Sequence, residues 1–233
     1  MCTLESMTKK TISAGLVAVA ATSALLAAPA VAQAESAPHS TTQSTAPGAG
    51  NGLREFQAAH GLKPTARLNP ETSRALGQTS ATEAARYFKT ADDLDPTQLA
   101  NARIVIGVGK GAANVSDQGK VIALMTAMQE SKFVNYTVPV DHDSLGIFQQ
   151  RPSTGWGTPE QITDVPTSTK SFYGVAPFGN NPGLIQIPNW ETRPPGEVCQ
   201  AVQVSAFPDA YAQWEGFARD LLAKEGPTVD PIF

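Results

Sequence analysis

Two acidic residues thirteen positions apart, Glu130 and Asp143, have the types and the setting that acid catalysis requires. Glu130 stands near the end of the apolar stretch 121–131, and Asp143 follows in a polar segment. Burial at the end of an apolar helix disfavours an ionised carboxylate and raises its pKa, so Glu130 is a candidate proton donor. The alternative, which periodicity alone favours, is a glutamate at a helix C-terminus that points into water.

The helix that must position Glu130 is predicted from an apolar stripe with i, i+3, i+4, i+7 spacing. The stripe consists of Val121, Leu124, Met125 and Met128. Glu130 lies off this stripe, in line with the small residues Ala123, Thr126 and Ala127. A face of small residues either packs closely on another helix or forms the floor of a cleft.

The pair Glu130-Ser131 and the later sequence Gly146-Ile147-Phe148-Gln149 resemble the lysozyme-like superfamily, which includes small lysozymes and lytic transglycosylases. In that superfamily a helix ends in the catalytic Glu, usually followed by Ser. A short polar or hairpin segment then leads into a Gly-aliphatic-Gln strand. Asp143 is similar in position to the second carboxylate of animal-type lysozymes, although one extra residue precedes the glycine and the loop is shorter.

The resemblance covers residues 97–226. The run 148–157, which contains Gly155-Trp156-Gly157, and the run 205–211 resemble a group of secreted actinobacterial proteins of this superfamily. The resemblance implies an α-dominant (α+β) fold with a small β-hairpin near residues 143–149. It also implies that Glu130 protonates a glycosidic oxygen and that Asp143 assists at the oxocarbenium-like transition state. The alternative for Asp143 is that it caps the turn before Ser144.

Five further residues are candidates for contact with substrate. Ser144, Gln149 and Gln150 are polar and follow the predicted hairpin, and Gln149 corresponds to the Gln that is usual in the superfamily. Trp156 and Tyr136 could stack on the apolar face of a sugar ring, although an aromatic residue of this kind more often belongs to the core. Trp156 is the preferred stacking residue because glycines flank it on both sides.

The first 34 residues have the pattern of a secretory signal peptide. Lys9 and Lys10 form a basic region, residues 12–28 are apolar and rich in Ala, and a small-x-small cleavage pattern ends at Ala34. A membrane anchor is the alternative, but the apolar run is barely long enough to cross a bilayer. We expect a protein that is secreted, either free or associated with the cell wall. Residues 35–50 are rich in Ser, Thr, Pro, Gly and Ala and are predicted to form a flexible linker.

Residues 51–79 resemble the second half of a three-helix peptidoglycan-binding repeat. A Phe56-Gln57 helix stops at Gly61, and Asn69 can cap a second helix with Pro70 at its first position. Two interpretations stay open: a sugar-binding module, or a helical pair packed on the main domain. Because the first half of the repeat is absent, we expect residues 35–79 to be dispensable for folding. Residues 80–96 would then be a connector, and 227–233 a tail.

Charge and composition exclude several classes of function. Without Glu5, Lys9 and Lys10 the mature chain has 15 basic and 20 acidic residues, so nucleic acid is not an expected partner. Cys199 is then the sole cysteine and is predicted to be a buried, unreactive thiol. The glycine-rich run 107–111 lacks a complete nucleotide-binding motif, and the three histidines have no metal-type spacing. We expect no cofactor, no metal and a monomer.

These features together predict a secreted cell-wall protein that cleaves the glycan strands of peptidoglycan, as a lysozyme or a lytic transglycosylase does. The alternative is a non-catalytic protein, either peptidoglycan-binding or structural, that retains the lysozyme-like fold. The alternative stays open because only one acidic residue is well supported by the sequence.

Overall fold

The structure is a computed structural model that describes residues 49–139 and 141–233. In this part of the chain the fold is dominated by helices and contains no strand. The predicted signal peptide and all but the last two residues of the predicted linker lie outside the described residues. The α-helices are α1 (Asn51–Ala59), α2 (Pro70–Gln78), α3 (Ala81–Ala84), α4 (Pro96–Gly111), α5 (Asp117–Ser131), α6 (Pro159–Thr163), α7 (Val165–Tyr173), α8 (Pro195–Gln203) and α9 (Glu215–Glu225).

Helix α5 lies at the centre of the fold, in contact with α4, α8 and α9. All residues from Gly119 to Met128 are buried, which is the pattern of a helix surrounded by protein on every side. The small-residue face is covered as well, because the Cys199 thiol of α8 lies 3.5 Å from the carbonyl oxygen of Ile122. Of the two roles predicted for this face, it has the first, close packing on another helix.

Asp95 followed by Pro96 is a sequence typical of a helix start, and α4 begins there. The Asp95 carboxylate accepts hydrogen bonds from the backbone N–H groups of Thr97 and Gln98, and the Gln98 amide oxygen accepts one in return from the Asp95 N–H. Pro96 occupies the first helical position, where no N–H donor is needed. This capping box fixes the start of α4 and therefore the register of its contacts with α5.

The glycine-rich run 107–111 lies within α4, where it makes room for the C-terminal tail. The Ile232 N–H donates to the Gly107 carbonyl at 2.9 Å, and Lys110 Nζ donates to the Val229 carbonyl at 2.7 Å. A Cβ atom on Gly111 would lie 2.1 Å from the Ile232 oxygen. Gly107 and Gly111 are therefore explained by the close approach of the tail, whereas an added Cβ on Gly109 would meet the side chains of Lys120 and Tyr173.

We expect Gly111→Ala to displace the tail and to lower the free energy of unfolding by roughly 1–3 kcal/mol, as overpacking does elsewhere. Chemical denaturation measures the change. The matched control is Gly216→Ala in α9, where an added Cβ meets no atom within 4 Å. Because Ala is the better helix former, the control should gain roughly 0.5–1 kcal/mol. Equal effects of the two substitutions would contradict this account of the tail.

Helices α1 and α2 share the hydrophobic core of the main helices. Leu53, Phe56 and Leu76 are fully buried there. The buried Gln57 side chain joins the two helices, because its amide nitrogen donates to Thr72 Oγ1 at 3.0 Å. Residues 51–79 therefore form a helical pair packed on the main domain, and sugar binding by this segment stays a prediction. The expectation that this segment is dispensable for folding therefore no longer follows.

The predicted β-hairpin near residues 143–149 is not confirmed. The chain there forms two isolated antiparallel bridges, Tyr136 with Gly146 and Leu145 with Gln150. Gly146 and Gln149 have positive φ angles of 71° and 49°, and left-handed residues interrupt the extended backbone that a longer ladder needs.

Within the described residues, no helix has both the length and the apolar character that crossing a bilayer would demand.

Candidate active site

Helix α5 stops directly after Glu130 because α4 holds the two residues that end it. Lys132 and Phe133 both adopt left-handed backbone angles, with φ values of 54° and 60°. Side-chain amides of α4 bind their carbonyls: Gln98 Nε2 donates to Lys132 O at 2.8 Å, and Asn101 Nδ2 donates to Phe133 O at 2.9 Å. These contacts offset the cost of left-handed geometry in residues with bulky side chains.

Ser131 connects the end of α5 to the segment that carries Gln149. Its side chain is fully buried, and its hydroxyl donates to the Ile147 carbonyl at 2.7 Å. The Glu-Ser pair and the later Gly-Ile-Phe-Gln sequence are thus in direct contact. The serine has a structural role here, because it fixes this segment against the helix end that carries Glu130.

Glu130 is half-buried, and the Tyr211 hydroxyl donates a hydrogen bond of 2.6 Å to its Oε1 atom. Burial raises the pKa of Glu130 to about 7, and three groups oppose that rise. They are the Tyr211 hydroxyl, the charge of Lys132 and the side chain of Gln203. The carboxyl group is consequently protonated in a large fraction of molecules near neutral pH, as a general acid must be.

Two elements from the C-terminal part of the chain converge on Glu130. Gln203 is the last residue of α8, and its amide nitrogen also donates to the Phe148 carbonyl at 2.7 Å. Tyr211 is fully buried and follows a 3₁₀ turn over Pro208–Ala210. The run that contains Tyr211 carries part of the sequence resemblance, but no local signal indicates the contact between Tyr211 and Glu130. The effects of Gln203 and Lys132 on Glu130 also have no signal in the sequence.

The loop that joins Gln203 to Tyr211, the two residues that interact with Glu130, exposes two apolar side chains. Val204 is 80% exposed and Phe207 is 72% exposed. Val204 also has a φ angle of 51°, which is rare for a β-branched residue. Backbone strain of this kind concentrates at functional sites. The loop is therefore a candidate surface for the apolar faces of a bound sugar.

Asp143 is bound to residues of its own loop rather than to the groups that surround Glu130. Arg151 Nε donates to its Oδ1 atom at 2.6 Å, and the Ser153 N–H donates to its Oδ2 atom at 2.8 Å. These bonds hold the pKa of Asp143 far below its usual range. Among residues 49–139 and 141–233, no hydrogen bond joins Asp143 to Glu130. The carboxylate stays ionised and anchors the loop that contains Arg151 and Ser153.

The structure buries four of the five residues predicted to contact substrate. Gln150, Ser144, Trp156 and Tyr136 are each at most 7% exposed. Gln150 donates to the Ser168 carbonyl, and the Tyr136 hydroxyl donates to the Ser73 carbonyl at 2.8 Å. Gln149 is half-buried, and its amide donates to the Gly146 carbonyl at 2.9 Å. Because they are buried, these four residues offer a ligand little surface.

The chain matches no protein-family model, and a search among curated proteins finds no match. The resemblance to the lysozyme-like superfamily therefore rests on the residues quoted above, and function has to be argued from the site.

Other parts of the described chain offer less chemistry. A concavity of about 590 Å³ is lined by residues that include Ser116 and Trp190, and another of about 370 Å³ by residues that include Asn180 and Gln186. Neither lining contains Glu130. The described residues contain no cluster of three or more His, Cys, Asp or Glu side chains suited to a metal ion.

The predicted burial of Cys199 is confirmed, and burial raises the pKa of its thiol to about 12.

Proposed function

We propose that this protein is a secreted or wall-associated enzyme that cleaves peptidoglycan glycan strands, with Glu130 as the general acid. The observation that carries the proposal is the half-buried Glu130 carboxyl group, which has a pKa of about 7 and a hydrogen bond from Tyr211. The sequence resemblance supplies the substrate class, and the helical domain around α5 supports the lysozyme-like fold assignment. We propose that the protein acts as a monomer.

The geometry defines how the acid would work. Because Tyr211 donates to Oε1, the proton of the neutral Glu130 sits on the other oxygen, Oε2. That oxygen gives its proton to the glycosidic oxygen while the C–O bond breaks, a contribution of roughly 10²–10⁴-fold in rate. The resulting carboxylate then takes a proton from an attacking water or from a hydroxyl of the same sugar. The first route is hydrolysis, and the second gives an anhydro-sugar.

The position of Asp143 favours a mechanism with one acid. Both of its oxygens already accept hydrogen bonds within its own loop, so it is better placed to hold the loop than to stabilise a sugar cation. The role proposed here differs from the alternative predicted from sequence, capping of the turn before Ser144, because the Asp143 oxygens accept from Arg151 and Ser153.

We expect Asp143→Asn to lower the rate of cleavage by less than about tenfold, because the substitution weakens one ion pair that is partly exposed. The matched control is Arg151→Gln, which breaks the same pair from the other side and should have a similar effect. The rate of wall solubilisation by purified protein measures both. A loss of roughly 10²-fold or more for Asp143→Asn, with Arg151→Gln mild, would instead make Asp143 the second catalytic carboxylate.

The alternative function is a non-catalytic wall-binding or structural protein. The observation that favours it is that Glu130 is the single acid at the site, because Arg151 and Ser153 hold the Asp143 carboxylate in its own loop. Turbidity of purified cell walls separates the two functions, and mass analysis of the released muropeptides distinguishes reducing ends from anhydro-sugars. Sedimentation with insoluble peptidoglycan tests binding. Sedimentation without any released product would support the alternative.

A further inference from the structure

Large apolar side chains are exposed at four positions in the described part of the chain, and two of the four lie in one short loop. The four are Val138, Val204, Phe207 and Phe233. Val204 and Phe207 belong to the loop that joins Gln203 to Tyr211, the two residues that interact with Glu130. An exposed phenylalanine ring in such a loop needs an explanation, because folding alone would favour its burial.

The backbone of this loop is held by hydrogen bonds and by a proline. The Gln200 amide donates to the Ser205 carbonyl at 2.9 Å, and the Ser205 hydroxyl accepts from the Phe207 N–H at 3.1 Å. The Ala210 N–H donates to the Phe207 carbonyl at 3.2 Å. Pro208 follows Phe207 and disfavours a helical conformation at Phe207. The ring is therefore carried by an ordered backbone, so little backbone entropy is lost when a ligand contacts it.

The loop is short enough to place Phe207 near the bond that Glu130 would protonate. The chain from Phe207 to Tyr211 runs through the 3₁₀ turn over Pro208–Ala210. A 3₁₀ helix rises about 2 Å per residue, so the backbones of Phe207 and Tyr211 are roughly 8 Å apart. The Tyr211 hydroxyl in turn lies 2.6 Å from Glu130 Oε1. A polymer that is cleaved at Glu130 extends over several sugar rings on either side of the reacting bond, which is the range that this loop can reach.

Charge favours a sugar over an anionic surface as the partner of this loop. Residues 194–218 contain three acidic residues, Glu197, Asp209 and Glu215, and no basic residue. Segments that bind anionic lipids combine their apolar residues with Lys or Arg. The face of a pyranose ring that carries only C–H bonds is neutral and apolar, so an aromatic ring can stack on it.

We propose that Phe207 is a substrate-binding residue, whose exposed ring stacks on a sugar of the glycan strand next to the bond that Glu130 protonates. This inference rests on the proposed function. Trp156, the stacking residue preferred from the sequence, is only 7% exposed, so the stacking role is assigned to Phe207 instead. The exposed Val204 side chain extends the apolar contact.

Binding of soluble, peptide-free glycan strands tests the proposal in the chain without its predicted signal peptide, made inactive by Glu130→Gln. In that protein Phe207→Ala should weaken binding roughly five- to twentyfold, since it removes an aromatic face from the contact. Phe207→Tyr keeps the ring and should bind as tightly as the parent. The matched control is Phe233→Ala, which removes an exposed ring from the C-terminal tail and should leave the affinity unchanged. Isothermal titration calorimetry measures the dissociation constants.

Three results would overturn the proposal. The first is an unchanged affinity in Phe207→Ala, whose thermal unfolding midpoint should match that of the parent because the ring is exposed. The second is a failure of the strands to bind when Phe207 is intact. The third is a dimer that depends on Phe207 in sedimentation equilibrium, since the ring would then serve contact with a second copy of the chain.

Kinetics of the protein that retains Glu130 separate this inference from the proposed function. Phe207→Ala should raise KM for the strands by a factor similar to the loss of affinity and should change kcat little, as loss of uniform binding does. Cleavage with an unchanged KM in Phe207→Ala would overturn the role of Phe207 and leave the enzymatic function in place. Binding that depends on Phe207, without any cleavage by the wild-type protein, would support the sugar contact and overturn the enzymatic function.

Discussion

Glu130→Gln is expected to reduce the rate of peptidoglycan cleavage by at least about 10²-fold, because it removes the proton donor of the site. The protein should still fold, since glutamine has nearly the same volume and can accept the hydrogen bond from Tyr211. The decrease in turbidity of purified walls measures the rate. The matched control is Glu55→Gln on the surface of α1, which should leave the rate unchanged.

The pH dependence of cleavage follows from the same carboxyl group. Burial raises the pKa of Glu130 from 4.5 to about 7, so the protonated acid is lost as pH rises through about 7, and the rate of cleavage should fall over that interval.

The stability of the fold should depend on pH through the same carboxyl group, because the folded state binds the Glu130 proton more tightly than the unfolded chain does. The contribution of Glu130 to stability is therefore fully present below about pH 4.5 and is lost as pH rises towards 7. Glu130→Gln should remove this part of the pH dependence of unfolding.

The outcome that would contradict an enzymatic role is specific. If wild-type protein sediments with walls, releases no muropeptide and binds as well as Glu130→Gln does, the carboxyl group has no catalytic function on this polymer. The wall-binding alternative would then account for the observations, and the strained loop at Val204 and Phe207 would become the first surface to test for binding.

Local sequence signals predicted the parts of the site that depend on neighbouring residues. The Asp95-Pro96 start of α4, the buried face of α5 and the position of Glu130 at its end all follow from capping and periodicity. The contact between Glu130 and Tyr211 does not, because 81 positions separate the two residues. Periodicity shows that a side chain is buried and leaves its partner undetermined.

Other differences arise where tertiary contacts outweigh local preference. Helix α8 ends at Gln203 because Val204 adopts a left-handed backbone, and the sequence gives no signal for this stop, since a β-branched residue rarely takes that conformation. Residues 135–196 are rich in Pro, Gly and Asn, a composition typical of irregular structure, yet they contain α6 and α7. Helix α7 has a polar sequence of low helix propensity, and its packing against α4 with an Asp164 cap stabilises it. Packing of this kind cannot be read from a single segment.

Deletion of residues 51–79 is expected to abolish the cooperative unfolding transition of the remaining chain. Leu53, Phe56 and Leu76 lie fully buried in the shared core, and burial of each such side chain contributes roughly 1.5–3 kcal/mol. The deletion would also remove the partner of Asp95, whose Oδ2 atom accepts from the Leu68 N–H at 2.9 Å. The total is comparable with the whole stability of an ordinary domain.

Thermal and urea denaturation followed by circular dichroism measure this effect, and two point variants of α2 refine it. Leu76→Ala should cost roughly 2–5 kcal/mol, as deletion of a buried leucine side chain does. Arg74→Ala changes an exposed residue on the same helix and should stay within about 0.5 kcal/mol of wild type. Deletion of residues 35–48 alone is the length control and should leave the transition in place. A truncated chain that lacks residues 51–79 and still melts cooperatively would show that α1 and α2 are an appended module after all.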